Sequence, residues 1–432
     1  MGARETALNA LMACRQSGAW PNAILKDYIA RDGLDARDAG LATRLCYGVL
    51  QNRAKLDFYL EQLLTGKRKR LHPVIRDILH LGLYQLLELD KIPERAAVNE
   101  SVALAKKYHA PQAPLVNGVL RAAVRQRGEL KEPISYADRY SHPDALITLL
   151  KSALPKGELE PMLTADNTAP QTAVQLNPRK ATLPELEAHL QGAGVRTTRH
   201  AWMPDCLILE HTGNLERLKA FQNGEFYVQD PASKLAALWA ELTPGKVLDC
   251  CAAPGGKSFA AAIAMGGLGQ VTACDIHPHK AALIEKGAAR LGLNVTAQVR
   301  DAAQPCPEWA GQFDAVLVDV PCSGLGIIRK KPDIRYKPIE ELAKLPPLQG
   351  EILDNQSNYV RPGGVLIYST CTVLPQENQQ VVEGFLAGNP DFSLENPELP
   401  DNFPKPENGM LTLLPGKYDT DGFFICRLRR KL

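Results

Sequence analysis

The sequence predicts a multidomain chain: an all-α bundle first, a small α/β unit next, and a doubly wound α/β sheet at the C-terminal end. Three observations carry this. Up to about residue 128 the apolar residues recur at helical spacing, with no convincing strand. From Thr172 short apolar runs alternate with helical stretches. After Asp230 strand and helix patterns alternate to the end, as in a parallel sheet covered on both faces. At 432 residues the chain has room for two or three cores.

The bundle, expected over 1–128, opens with Leu8, Leu11 and Met12 and continues through Leu41, Leu45, Val49, Leu56, Tyr59, Leu60 and Leu63. Ile75, Ile78, Leu79, Leu83, Leu86 and Leu87 form its most apolar helix, expected at the centre of six or seven. Residues 129–170, punctuated by Pro133, Pro143, Pro155, Pro161 and Pro170, read as a helical connector. In the small unit, 171–226, strands are expected at 173–176, 206–209 and 225–228 and helices at 183–190 and 215–221. RNA-binding appendages often have this shape, but the aromatic RNA-stacking signature is absent, so shape alone suggests it. In 227–432, strands are expected at 247–250, 270–274, 295–299, 315–318 and 365–368, with a last one, antiparallel, from Gly422 to Leu428. Helices are expected near 258–265, 278–291 and 340–360.

The net charge of +2 does not by itself call for a polyanionic partner. Two basic runs stand out: Lys67–Arg70, and Arg329, Lys330 and Lys331, which Arg335 and Lys337 extend. Only the second lies beside candidate chemistry. The ten cysteines include no C-x-x-C pair and no Cys/His cluster at zinc spacing, so no metal is expected. With no secretory leader and no apolar run of membrane length, the chain reads as a protein of the reduced cytoplasm.

The C-terminal sheet is organised around Val247-Leu248-Asp249-Cys250-Cys251-Ala252-Ala253-Pro254-Gly255-Gly256-Lys257-Ser258: strand, tight loop, helix start. Glycines let a ligand lie against the backbone, and a helix N-terminus offers it N–H groups. A Walker loop needs glycine where this chain has Cys251, and the dinucleotide pattern G-x-G-x-x-G is missing. The strands end in Asp249, Asp275, Asp301 and Asp319, and the fifth in Cys371. Any one acid reads as a turn or cap residue; four on one rim do not read as packing. Asp275 stands about twenty residues past the loop, where an acid meets ribose hydroxyls. Asp301 is placed for an adenine amino group. A nucleoside cofactor without phosphate fits both, and S-adenosylmethionine is the candidate, since its sulfonium suits an acidic rim. Cys322, in Asp319-Val320-Pro321-Cys322-Ser323-Gly324-Leu325-Gly326, and Cys371, in Ser369-Thr370-Cys371, put two thiols on adjacent strand ends and suggest covalent catalysis.

Two resemblances follow from these residues. Ala7–Leu11, Val98–Lys106 and Val116–Arg121 resemble the RNA-binding helical domain of the NusB family, which implies RNA or protein contact in the bundle. The block from Tyr227 to Leu428 resembles the RNA 5-methylcytosine methyltransferases of the Nol1/Nop2/Sun family. Asp249–Lys257 matches its cofactor loop, Asp319–Gly326 its D-x-P-C-S-G-x-G motif, Thr370-Cys371 its T-C motif, and the tail from Gly422 its ending. This implies a Rossmann-like class I methyltransferase sheet, S-adenosylmethionine held by Cys251, Ala252, Ala253, Pro254, Gly255, Gly256, Lys257, Asp275, Asp301 and Asp319, and, with the NusB-like front, 16S ribosomal RNA as substrate of a monomer. Arg329, Lys330 and Lys331 are then expected to line the RNA path. The family scheme gives attack on cytosine to Cys371, release of the adduct to Cys322, and a contact with cytosine N3 or N4 to Asp319.

The chemistry accounts for these residue types. Carbon 5 of cytosine is a poor nucleophile until a thiolate adds to carbon 6 and makes it enamine-like; a free thiol near pKa 8.5 needs help to ionise. Spacing leaves open which thiol attacks, and DNA cytosine methyltransferases use the P-C thiol. Two rivals stand beside this reading: a non-catalytic RNA-binding assembly factor on a vestigial fold, opposed by the intact thiols and loop, and an NTPase, opposed by Cys251.

Overall fold

The computed structural model describes residues 2–17, 21–64 and 71–432; the basic run Lys67–Arg70 lies outside them. The chain forms two compact units. The first is Met1–Ser152 with Asp166–Thr168 and Ile328–Lys337, and the second is Ala153–Ala165, Ala169–Ile327 and Pro338–Leu432.

In the first unit, seven α-helices lie between Ala3 and Arg125 among the described residues. The apolar helix Pro73–Glu88 is buried nearly all round, with Ile75, Ile78, Leu79 and Leu83 fully inaccessible. Proline at its first turn costs no hydrogen bond. Helix Ala36–Gln51 starts on Asp35, whose carboxylate accepts from the Asp38 N–H at 2.7 Å. Its Gly48 lies against the Tyr84 ring, which a Cβ would meet at 2.0 Å.

The extended basic run needs correcting here. Arg335 is 1 % exposed, and its guanidinium donates to the carbonyls of Gln51 (3.0 Å) and Ser141 (3.1 Å) and to Asn167 Oδ1 (3.0 Å). It is an internal clamp of the first unit, not part of a surface stripe. Guanidinium is the cation that can satisfy several buried carbonyls at once.

The second unit holds two sheets. β1 (Thr172–Leu176), β2 (Arg196–Arg199), β3 (Cys206–Glu210) and β4 (Phe226–Val228) pair antiparallel in the order β2-β3-β1-β4. Helix Leu183–Gly192 packs Leu186 and Leu190 against Val174, Leu207 and Phe226. β2 has no counterpart in the sequence reading, because Arg-Thr-Thr-Arg at a sheet edge carries no apolar alternation.

The larger sheet comprises β5 (Lys246–Asp249), β6 (Gln270–Asp275), β7 (Val295–Val299), β8 (Phe313–Asp319), β9 (Val360–Thr370), β10 (Phe392–Leu394), β11 (Met410–Leu413) and β12 (Phe423–Arg430). Its order is β10-β12-β9-β8-β5-β6-β7, with β11 also on β12. β5 to β9 are parallel, and β12 runs antiparallel to β9, as expected of the last strand. Val247, Ala315, Leu317 and Ile367 face one core and Leu248, Val316, Val318 and Leu366 the other, so both faces are covered. The helix expected over 340–360 is two, Ile339–Leu342 and Leu345–Ser357, with proline in the first turn of the second. The chain leaves β5 toward β6 and β7, then returns to β8 on the other side of β5. That reversal opens a crevice at the carboxyl ends of β5 and β8, where such sheets bind ligands. Among the described residues no helix is long and apolar enough to cross a membrane.

Candidate active site

The Gly-rich loop runs across the carboxyl ends of three strands. Cys250 N–H donates to the Leu317 carbonyl at 3.1 Å and Ala252 N–H to that of Cys274 at 2.7 Å, so the loop is tied to β8 and β6. Gly255 takes a φ of +107° just before helix Gly256–Ala264, and a Cβ there would lie 2.5 Å from the Phe259 ring. Asp249 is fully buried, and its Oδ2 accepts from Ser258 Oγ at 2.7 Å. Its Oδ1 is buried without a partner, and burial pushes the carboxyl up to about 7. Asp249 thus braces the loop from beneath. Cys250 is buried behind it, while Cys251 is half-buried.

Asp275 ends β6, and Asp301 follows β7 by two residues. Their Oδ1 atoms accept the backbone N–H groups of His277 and Ala303, both at 3.0 Å. Carboxylates have about four acceptor positions, so these turns leave capacity for hydroxyl or amino donors. Lys257, which a phosphate loop would aim at its ligand, is 9 % exposed and donates instead to Asp319 Oδ2 at 2.8 Å and Ser233 Oγ at 2.9 Å. This donor set fits a phosphate-free nucleoside better than a nucleotide.

At the end of β8 the pieces converge. The parallel register sets Asp319 opposite Ser369 of β9, and Ser369 Oγ donates to Asp319 Oδ1 at 2.7 Å. Asp319 is therefore held from both sides, by Lys257 and by Ser369. The Lys257 ammonium also lies 5.0 Å from the centroid of Phe423 at the start of β12. Past these strand ends the Sγ atoms of Cys322 and Cys371 stand 3.2 Å apart, both half-buried. The hydrogen bond to Cys371, then burial, then the charges of Cys371 itself, Glu377 and Asp319 push the Cys322 thiol well above its ordinary range. Gly326 N–H donates to the Cys371 carbonyl at 2.9 Å, and a Cβ on Gly326 would meet the Gly422 carbonyl oxygen at 2.1 Å. The P-C loop, the T-C strand end and the tail therefore interlock through glycine backbones.

The structure brings Lys257, Asp319, Cys322 and Cys371 together, and sets Asp275 and Asp301 on the rim of the same sheet. Ser233, Ser369 and Phe423 join them although sequence reasoning did not select them. Ser369 had a signal, since it precedes Thr370-Cys371 and falls opposite Asp319 in register. The basic run belongs to the first unit. Within it Arg329 is 8 % exposed and Lys331 exposed, so an RNA path along an open surface does not include the Arg329 side chain.

Comparison with known proteins gives the family. Residues 238–429 match the family described as 16S rRNA methyltransferase RsmB/F, residues 1–125 the NusB family, and residues 142–216 the ferredoxin-like domain of RsmF/B-like methyltransferases. A Bacillus subtilis protein described as "Probable ribosomal RNA small subunit methyltransferase B" is 38 % identical, over 99 % of this chain and 98 % of its own. Ribosomal RNA small subunit methyltransferase B of Vibrio cholerae is 35 % identical, over 93 % and 92 %. Among solved structures, PH0851 superposes with a TM-score of 0.81 at 24 % identity, covering 99 % of this chain and 98 % of its own. NSun6 from Pyrococcus horikoshii, solved with SFG, superposes at 0.58 and 20 % identity over 67 % of this chain and 98 % of its own. The two structures speak for the fold.

Proposed function

Because the chain belongs to the ribosomal RNA small subunit methyltransferase B family of S-adenosylmethionine-dependent enzymes, we propose that it methylates carbon 5 of a cytidine in 16S ribosomal RNA through a covalent bond from Cys371 to carbon 6. The observation that carries the finer reading is the pair of thiols 3.2 Å apart beside an aspartate locked by Lys257 and Ser369. A methyltransferase acting on an oxygen or exocyclic nitrogen needs no thiol; carbon 5 of cytosine does.

Residues Cys251–Lys257, Asp275 and Asp301 would hold S-adenosylmethionine, which supplies an electrophilic methyl group. Asp319, fixed from both sides, would accept a hydrogen bond from N4 of the extruded base, or from N3 once that nitrogen is protonated. Cys371 is the nucleophile of the pair. Cys322 keeps its proton at neutral pH, because the shared hydrogen bond, burial and two nearby acids all favour its neutral form. The Cys371 sulfur forms the bond to carbon 6, and the carbon 5–carbon 6 π pair makes carbon 5 nucleophilic. Release requires carbon 5 to lose its proton and the sulfur–carbon 6 bond to break, its electron pair returning to Cys371. The carbon 5 proton passes to solvent water, and the protonated Cys322 thiol, 3.2 Å from the Cys371 sulfur, donates to that sulfur as it departs.

The test is a pair of variants incubated with labelled 16S ribosomal RNA and S-adenosylmethionine. Cys371→Ala should form no adduct and no product while keeping cofactor affinity. Cys322→Ala should accumulate a protein–RNA adduct that survives denaturing electrophoresis. The reverse pair of outcomes would exchange the two thiols. Full activity in both would remove covalent catalysis.

A further inference from the structure

The two thiol loops are held by a buried polar turn around Glu377 and Asn378. Glu377 is 1 % exposed and its neighbour Asn378 fully buried. Glu377 Oε2 accepts from the Ser323 N–H at 2.8 Å and from Gln349 Nε2 at 2.8 Å. The same Gln349 amide donates to the Pro321 carbonyl at 3.0 Å. Both neighbours of Cys322 are thereby fixed to one carboxylate, one directly and one through Gln349. The flanks of Cys371 are fixed from the same turn. Thr370 Oγ1 donates to Asn378 Oδ1 at 2.6 Å, and Asn378 Nδ2 donates to the Thr372 carbonyl at 3.1 Å. Ser323 Oγ and Thr372 Oγ1 close the bracket at 2.7 Å, and Tyr368 OH anchors the Glu377 carbonyl at 2.6 Å.

A bracket of this kind needs no charge. Yet Oε1 of Glu377 is buried with no hydrogen-bond partner. Leaving a carboxylate oxygen so costs folding free energy. Its negative charge is one of the groups that hold the proton on Cys322. Reactive side chains work only when the groups behind them fix their geometry and charge.

We propose that Glu377 is a positioning residue for release of the RNA adduct, holding Cys322 against Cys371 from both sides and giving it a negative neighbour. This rests on the two-thiol reading above. The charge adds to what the bracket does: without it Cys322 keeps its place but holds its proton less firmly, and release slows.

The experiment uses the full-length protein, labelled 16S ribosomal RNA and S-adenosylmethionine, with Cys322→Ala alongside. Glu377→Gln keeps the shape and removes the charge. It should still form the adduct but clear it slowly, so adduct on a denaturing gel exceeds wild type by about tenfold and kcat falls by a similar factor. The pH profile of release should shift as well, which loss of packing alone would not produce. Gln349→Met, which keeps the charge and cuts the tie to Pro321, should accumulate less adduct than Glu377→Gln but more than wild type. It carries the test should Glu377→Gln fail to fold. Wild-type release in the folded variants, with adduct in Cys322→Ala, would overturn this inference alone. No adduct in any of them, Cys322→Ala included, would overturn the two-thiol reading and this inference with it.

Discussion

Asp249→Asn should stabilise the second unit, and more so as pH rises. The Asp249 carboxyl is fully buried, with Ser258 its one hydrogen-bond partner, and stands at about 7 against an ordinary 3.8. The folded state therefore holds this proton more tightly than the unfolded chain. That contribution is fully present below the unfolded value, near 3.9, and is lost as pH rises through about 7. Three units correspond to at most roughly 4 kcal/mol. Asparagine keeps an oxygen for Ser258 and carries no charge. The variant's stability relative to wild type should therefore rise by roughly 3 kcal/mol from pH 5 to pH 8. Trp202, Trp239 and Trp309, three of the four tryptophans, lie in the second unit, so fluorescence-detected melting follows that unit. Melts of both proteins across pH 5 to 8, without cofactor, give the comparison. A difference that does not change with pH, or a wild type that gains on the variant at pH 8, would refute the buried-carboxylate argument.

Three further outcomes are expected. Asp275→Ala should weaken S-adenosylmethionine binding by roughly 1.5–3 kcal/mol, the worth of a hydrogen bond to a charged group; unchanged calorimetric affinity would remove it from the ribose role. Gly326→Ala should lower kcat by about a hundredfold with the fold retained, because its methyl would displace the P-C loop from the Gly422 backbone and misplace Cys322; near-wild-type turnover with an intact circular dichroism spectrum would show that the interlock tolerates movement. Changing Lys330 and Lys331 to Gln should flatten the salt dependence of RNA binding by up to about two slope units, at roughly 0.7–0.9 per phosphate contact, and an unchanged slope in filter binding would return this run to ordinary surface.

The parts legible in the sequence are those whose cause is local. The apolar helix Pro73–Glu88, the parallel strands and the Gly-rich turn each write their period or backbone need into consecutive residues. β10 and β11 were not legible, at three and four residues with little alternation. Charge was misread where its partners are distant in the chain: Arg335 sits in a basic run, yet binds Gln51 and Ser141 more than 190 positions away. Lys257 reads as a ligand residue from its loop, and only the fold adds its partner Asp319, 62 positions on. Glu377, in Gln-Glu-Asn-Gln-Gln, looks like the solvated start of a helix, and only the fold shows it behind the thiols.

Strand register explains why the two-cysteine arrangement is legible while its division of labour is not. Parallel pairing of β8 with β9 sets Asp319 level with Ser369, so a thiol three residues past one and a thiol two residues past the other must emerge at the same sheet edge. Two motifs 49 positions apart thus meet, and their sulfurs share a hydrogen bond. Spacing treats the two sulfurs alike, because register is symmetric between neighbouring strands. Electrostatics is not. The Cys322 loop donates a backbone hydrogen bond, from the Ser323 N–H, to buried Glu377, and Asp319 adds a second negative charge that raises the Cys322 thiol. Under the proposed assignment Cys371 attacks, and a P-C loop in which the acid behind the cysteine were replaced by a neutral residue should hold the Cys322 proton less firmly.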